Sequence, residues 1–522
     1  MLLREAIELT QSIGTEKTQI LLEGDIIVPD TKPDMRTILR TDAVVQIGKA
    51  ESAQDKVVFA GTLQIKALYL AKESVKDAAK EKYVHNLTLT APIDDFIRID
   101  GAEANMPVDI TAEVAHVEYK MVNDRKVNYR AVVNVSFTVY SKTAKEAVVG
   151  IEGLGESQHK KVRHSFTGVV ATLTDSISLK HDMLLPPGKP AMSVILQSDT
   201  HLANKEVKIG NGKISVSGEL QLQTLYTAEN GASFDFVESE IPFSGNIEIP
   251  QIRDNMQADV RLSVTESNIT IGKDDDGEER VINVDVTVLA NVWVRDHGEI
   301  TLLEDAYHIN KELGFTHEAV QFPRQVCRNK NQCPIKEMIR IDDEHPEILQ
   351  IYQATGNLNI ETVKLYEDRM TVEGVIHADI LYIARDDDTP LFNHRAVIPF
   401  KQTIDVKGAQ PHMETAIEHS IDHIGFNMLS GREVELRFLV CFTARVVENR
   451  SVNIITDIEF ADIDKAVLDK MASVTVYIVQ TNDCAWTIAK KFNTSIDDLL
   501  AVNEIDDRNN ITPGTRLLIL KS

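Results

Sequence analysis

The chain has little cysteine, little tryptophan and too little basic charge to balance its acids. Cys327, Cys333, Cys441 and Cys484 are the only four cysteines in 522 residues. They cannot build a disulfide framework, and Cys327 and Cys333 are spaced too widely for a CxxC site, so a reducing compartment is implied. Lysine and arginine number 55 against 80 acids, a formal charge of −25. An acidic excess of that size repels phosphate backbones and anionic lipid, which excludes nucleic acid and a membrane surface as direct, electrostatically driven partners. No run of 18 apolar residues is present, and MLLREAIELTQSIGTEK at the start carries acids and no signal-peptide core, so no direct membrane insertion and a cytosolic protein are expected. At about 150 residues per domain, the length suggests three or four domains.

What is abundant is self-similarity. VVFAGTLQIKALYLA, KISVSGELQLQTLYTA and DRMTVEGVIHADILYIA align on Gly61, Gly218 and Gly374, each followed eight residues later by Tyr69, Tyr226 or Tyr382. Pro33, Pro190 and Pro346 lie 28 residues before those glycines, so two markers recur together at intervals of 157 and 156 residues. That is a repeat of domain size, too long for a solenoid unit, and beads on a chain are expected.

Within each unit the apolar period is two. Leu63, Ile65 and Ala67 alternate with Gln64 and Lys66, and residues 126–140, 280–294 and 432–447 form a second alternating run rich in valine and phenylalanine. Such runs are long antiparallel strands with one face on a core. The fold class expected is mainly β: three tandem β-sandwich-like repeats at 1–149, 162–304 and 316–447, a linker at 448–473, and a small βααβ domain at 474–522. A short helix is expected at PDMRTIL or PAMSVIL, and a bulge or close packing at the shared glycine. Residues 150–161 and 305–315 read as polar connections, and the charged stretch 73–82 joins the two strand runs of the first unit.

From Val474 onward a strand, a turn, a helix carrying Trp486, Ile488, Ala489 and Phe492, a second helix capped by Thr494 or Ser495 and ended by Asn503, a Pro513-Gly514 turn and a last strand follow in order. This segment resembles a LysM domain: Tyr477-Ile478-Val479, Asn482 to Ala489, Leu499 to Asn503, and Ile511 to Ile519 fall on its pattern. The resemblance implies a shallow groove between the loop before the first helix and the loop after the second, where LysM modules hold N-acetylglucosamine-containing glycans. Here that groove would be formed by Asp483, Cys484, Ala485 and Trp486 on one side and Asn503, Glu504, Ile505 and Asp506 on the other. The first loop reads Asn-Asp-Cys-Ala in place of Gly-Asp-Thr-Leu, which favours a protein ligand over glycan. A tryptophan on the first helix is more often core than contact.

EGDIIVPDTKPDMRTILR (23–40), with the glycine-to-tyrosine strand of each unit, resembles the SPOCS repeat of endospore-forming bacteria. SPOCS repeats ending in a LysM domain resemble the SipL-like family of spore coat morphogenetic proteins, and the likeness is weakest in the third unit, where His345-Pro346-Glu347 replaces Lys-Pro-Asp. The resemblance implies a nonenzymatic adaptor of the mother-cell cytoplasm, recruited to the forespore surface and spore coat. Its partner would be the coat morphogenetic ATPase of the basement layer, bound through the LysM domain, with other coat proteins as further partners. The alternative is a peptidoglycan-binding protein of the spore cortex or wall.

Catalytic and metal readings fail on spacing. His419 and His423 lie four apart but lack the H-E-x-x-H order, and their setting is β-like. Asp274-Asp275-Asp276-Gly277 begins like a calcium loop but has no glutamate at the twelfth place, and reads as a hairpin tip, as does Asp386-Asp387-Asp388. The glycines of 150–161 lack the order that cradles phosphate. Cys441 reads as a small core residue, and Cys484 has no basic sequence neighbour to activate it. No catalytic residue, metal ligand or cofactor is expected.

Overall fold

The computed structural model describes residues 1–72, 84–229, 234–385, 390–463, 472–505 and 511–520. The stretches 73–82 and Asp386-Asp387-Asp388 lie outside the described residues. In the first repeat the strands are β1 (Leu2–Ile27), β2 (Met35–Ala53), β3 (Lys56–Ala71), β4 (Val84–Arg98), β5 (Val108–Asn123) and β6 (Lys126–Ile151). The second repeat supplies β7 (Ser157–Leu184), β8 (Met192–Gly210), β9 (Lys213–Ala228), β10 (Phe234–Glu248), β11 (Gln257–Gly272) and β12 (Val281–His308). The third supplies β13 (Lys311–Arg340), β14 (Ile348–Tyr366), β15 (Arg369–Ala384), β16 (Leu391–Asp405), β17 (Glu414–Ser430) and β18 (Glu433–Asp462). Each repeat is two three-stranded antiparallel sheets, β1-β6-β5 and β2-β3-β4 in the first, with the same order in the others.

The two alternating runs of each repeat are the central strands of its two sheets. Val57, Phe59, Leu63 and Ile65 of β3 share a core with Val127, Ala131, Val135 and Phe137 of β6, the Phe59 and Phe137 rings 4.8 Å apart. Apolar residues at every second place therefore bury one face of each sheet against the other. The shared tyrosine and proline recur together because they bond: the hydroxyls of Tyr69, Tyr226 and Tyr382 donate to the carbonyls of Pro33, Pro190 and Pro346 at 2.9, 3.2 and 2.8 Å. Burial pushes the Tyr69 and Tyr226 phenols up to about 12, so they remain donors at any physiological pH. Tyr226→Phe is expected to lower stability by about 1 kcal/mol in a denaturant melt, without altering the strands.

The shared glycine faces a bulge on the neighbouring strand. A Cβ on Gly61 would stand 2.3 Å from the Gln46 carbonyl oxygen, and one on Gly374 2.1 Å from that of Asn359. The pairing slips one residue later on each partner strand, between Ile47 and Lys49 and between Ile360 and Thr362.

Three expectations are corrected. PDMRTIL and PAMSVIL are strand: Met35 and Met192 point fully into the cores and open β2 and β8, where Thr37-Ile38 and Val194-Ile195 favour extended backbone over helix. The polar connections are mostly strand too, since β6 reaches Ile151 and β7 starts at Ser157, β12 reaches His308 and β13 starts at Lys311, and β18 carries 448 to Asp462.

The third correction is larger: the repeats are not beads. Leu68, Leu225 and Leu381, with Leu196 and Tyr352, occupy one buried cluster, and the three leucines stand at the 157 and 156 spacing of the repeat. Leu9 and Phe322 share another with Phe166 packed against it, again at equivalent positions. Between the three units Arg40 Nη1 donates to Gln353 Oε1 at 2.7 Å, Gln353 Nε2 to Gln223 Oε1 at 2.6 Å, and Gln197 Nε2 to Asp42 Oδ2 at 3.1 Å. Those bonds cross all three repeat pairings, and Arg40, Gln197 and Gln353, equivalent residues, are 2, 6 and 2 % exposed. Burial by itself would lower the Arg40 pKa, but Asp42, Asp199 and Asp379 reverse this and raise it, so the guanidinium stays charged. Arg261 adds a second tie, Nη2 reaching Glu418 of the third repeat at 2.6 Å while Nη2 also reaches Asp109 of the first at 3.1 Å. The molecule is three sandwiches fused through shared apolar cores and a buried polar network.

Candidate functional site: the LysM module and its dock

The C-terminal module has β19 (Val474–Ile478) antiparallel to β20 (Arg516–Leu520), with α1 (Ala485–Lys491) and α2 (Ile496–Val502) between them. Cys484 starts α1, its backbone N–H donating to the Thr487 hydroxyl at 2.9 Å. Ser495 caps α2, its hydroxyl accepting from the Asp498 N–H at 2.9 Å, with Asp497 and Asp498 in the favourable first turn. The interior holds Val479, Ala485, Ile488, Ala489, Leu499, Leu517 and Ile519.

Most of the groove residues named from the sequence are occupied within the fold. The Asp483 carboxylate accepts from the Gln480 N–H at 2.8 Å and the Tyr477 hydroxyl at 2.7 Å, and these two bonds hold its pKa below the usual carboxylate range. Asn503 donates to the Leu499 and Leu518 carbonyls at 2.8 and 2.7 Å and accepts from the Leu518 N–H at 2.6 Å, which ties the end of α2 to β20. Ala485 is buried, and Ile505 is half-buried against the module's core. Cys484 and Glu504 are exposed, Glu504 with φ +53°. Asp506 lies outside the described residues.

Trp486 is engaged elsewhere. Its indole Nε1 donates to Asp305 Oδ2 at 2.8 Å, and its ring stands edge-on to Tyr307 with centroids 5.1 Å apart. Lys490 Nζ reaches Asp305 Oδ1 at 2.6 Å, and the Tyr307 hydroxyl donates to the Thr494 carbonyl at 2.8 Å. Asp305 and Tyr307 belong to the end of β12, so the second repeat clamps the module and Tyr307 joins its core. Sequence reasoning missed this dock, because both residues fall in a stretch that reads as a polar connection.

The clamp also brings a cation near Cys484. Partial burial raises the thiol's pKa, but hydrogen bonding from Thr487 and the charge of Lys160 outweigh it, and the net shift is downward. Of the other residues singled out, His419 and His423 lie on strand β17 with a bulge between them, not on a helix. Asp274 closes its own hairpin tip, accepting from the Asp276 and Glu278 N–H groups at 3.1 and 2.9 Å.

A mainly β repeat protein with a docked α+β module is what the fold defines. A family model described as SipL, SPOCS domain matches residues 34–122, 191–272 and 347–429, and the LysM domain model matches residues 477–520. The chain is a SipL-like protein with SPOCS domain repeats and a C-terminal LysM domain. No curated protein and no solved structure matches it. The SPOCS matches cover β2 to β5 and their equivalents, and leave out the long strands β1 and β6 and their counterparts, which build part of the shared cores. These domains make the protein sporulation-related and noncatalytic, an interaction scaffold. Among the described residues, no helix is long and apolar enough to cross a membrane.

Proposed function

We propose that the fused SPOCS repeats are a rigid platform and that the LysM module clamped to it is the recognition end of a sporulation scaffold. The carrying observation is the LysM match over 477–520, which supports N-acetylglucosamine glycan of the spore cortex or wall as ligand more directly than any protein. The exposed residues Cys484 and Glu504, on the two loops expected to flank the groove, are what such a ligand would meet.

A second reading has its own observation. Val474, Val476 and Ile478 on β19 and Leu518 and Leu520 on β20 leave the outer face of the LysM sheet apolar and exposed, Val476 to 64 %. An apolar face of that kind suits a protein, and the family resemblance names the coat morphogenetic ATPase at the forespore surface, reached from the mother-cell cytoplasm. Other coat proteins would then gather on the same chain, where several modest contacts give high avidity on a polymer.

The full chain, a chain ending at residue 463 and Glu504→Arg should be sedimented with purified peptidoglycan and, separately, captured on purified coat ATPase. The glycan reading expects the full chain to sediment, the truncated chain to stay in solution, and Glu504→Arg to bind about tenfold more weakly, the loss of one charge-assisted contact. Capture by the ATPase with no sedimentation would replace it by the second reading. Equal binding by the truncated chain would remove the LysM module from either role.

A further inference from the structure

We propose that Asp342, His345 and His394 of the third repeat form a binding site for a divalent transition-metal ion of the zinc class. One ligand atom from each lies within 4.8 Å of the other two. His345 Nδ1 is 3.8 Å from Asp342 Oδ2, too far for a hydrogen bond, and the two imidazoles stand edge-on to each other with centroids 5.8 Å apart. His394 is 8 % exposed, and Nδ1 of both His394 and His345 is buried without a hydrogen-bond partner. Buried imidazole nitrogens are ordinarily satisfied, so two orphans beside one carboxylate call for a shared partner.

The sister repeats are an internal control. The turn holding His345 has the same geometry in all three: the His345 N–H donates to the Asp342 carbonyl at 3.0 Å, as Lys189 does to Pro186 at 3.2 Å and Lys32 to Pro29 at 2.9 Å. Arg432 braces the carbonyls of Asp342 and His345 at 3.0 and 3.2 Å, as Arg280 braces those of Pro186 and Lys189 at 3.4 and 2.7 Å. Across the sheet, His394 pairs with Ile380 where Val237 pairs with Thr224 and Leu87 with Ala67. The backbone positions therefore carry Pro, Lys and an aliphatic core residue in two repeats, and Asp, His and His in the third. Leu87 and Val237 are ordinary core side chains, so His394 puts a polar ring where the fold wants an apolar one. All three changes place a metal-binding side chain.

Two imidazoles and a carboxylate are a zinc-type donor set, whose tetrahedral geometry needs ligand atoms about 3.3 Å apart. Asp342, with 71 % of its side chain exposed, is free to swing inward, and it leaves an entry path for the ion. Arg432 is the facing cation, and Asp343 at 3.9 Å and Glu347 at 3.5 Å from its Nε offset it. The three ligands leave a fourth position for water.

The test is titration of the chelator-treated full chain with Co2+, followed by displacement with Zn2+. The expected result is one Co2+ site per chain with visible absorption of tetrahedral nitrogen and oxygen coordination, lacking the intense charge-transfer band of a thiolate, and bleached by Zn2+. His345→Lys/His394→Val, which installs the residues of the second repeat, should keep the circular dichroism of the wild type and weaken Zn2+ binding by more than about a hundredfold. Asp342→Ala, at an exposed position, covers the case in which the double variant fails to fold, and should weaken Zn2+ about tenfold. No cobalt spectrum from the wild type, or undiminished Zn2+ affinity in the variants, would overturn the proposal.

Discussion

Leu225→Ala is expected to destabilise all three repeats together, by about 3 kcal/mol, although the residue belongs to the second alone. Its side chain is fully buried in the cluster where Leu68 and Leu381 meet it from the other two repeats. Removing it opens a cavity at the junction of three sandwiches, and the surrounding strands can close it only partly, because the Arg40, Gln197 and Gln353 network crosses the same junctions. Denaturant unfolding followed by strand circular dichroism checks this. One transition shifted as a whole is the predicted outcome, whereas loss of one third of the signal at lower denaturant would mean that the repeats fold independently.

Tyr307→Ala is expected to cost about 3 kcal/mol of the LysM module's stability and to release it from the second repeat. Fewer than fifty residues bury a small core, so a side chain donated from outside counts heavily. Tyr307 is that donor: it is buried among Val479, Ile488 and Leu499, and its hydroxyl holds the Thr494 carbonyl. Only Trp293 and Trp486 fluoresce as tryptophan in this chain, and Trp293 lies on β12 far along the strand from the dock. The emission of Trp486 should shift to the red as its indole loses Asp305 and meets water. Asp305→Ala should produce a smaller shift in the same direction at a cost of about 1 kcal/mol, since its partner Lys490 is partly exposed. An unchanged spectrum in both variants would show that the clamp does not hold in solution.

The repeat, its β character and the LysM fold were legible in the sequence for definite physical reasons. Tyr69, Tyr226 and Tyr382 each need the carbonyl of the proline 36 residues earlier, so the two markers travel together. The inner faces alternate because each sheet covers one core. The fusion of the repeats had a signal that period two conceals: alternation gives way to unbroken apolar runs at Ala67-Leu68-Tyr69-Leu70-Ala71 and Ala147-Val148-Val149, where both faces of the strand are buried. The dock left no such trace. Asp305 and Tyr307 look like any polar and aromatic residue of a connection, and what they do depends on a module that begins some 170 residues later. Several polar side chains expected to line the groove serve the fold instead, as the bonds of Asp483 and Asn503 show.

The central claim is that three SPOCS repeats make one body with a recognition module clamped to it, and native-state hydrogen exchange of the full chain tests it most directly. The account predicts that the slowest amides of β3, β9 and β15 exchange through a single shared opening, with one free energy and one denaturant dependence, and that α1 is faster in Tyr307→Ala than in the wild type. Three separate openings, one for each repeat, with α1 indifferent to Tyr307, would contradict it.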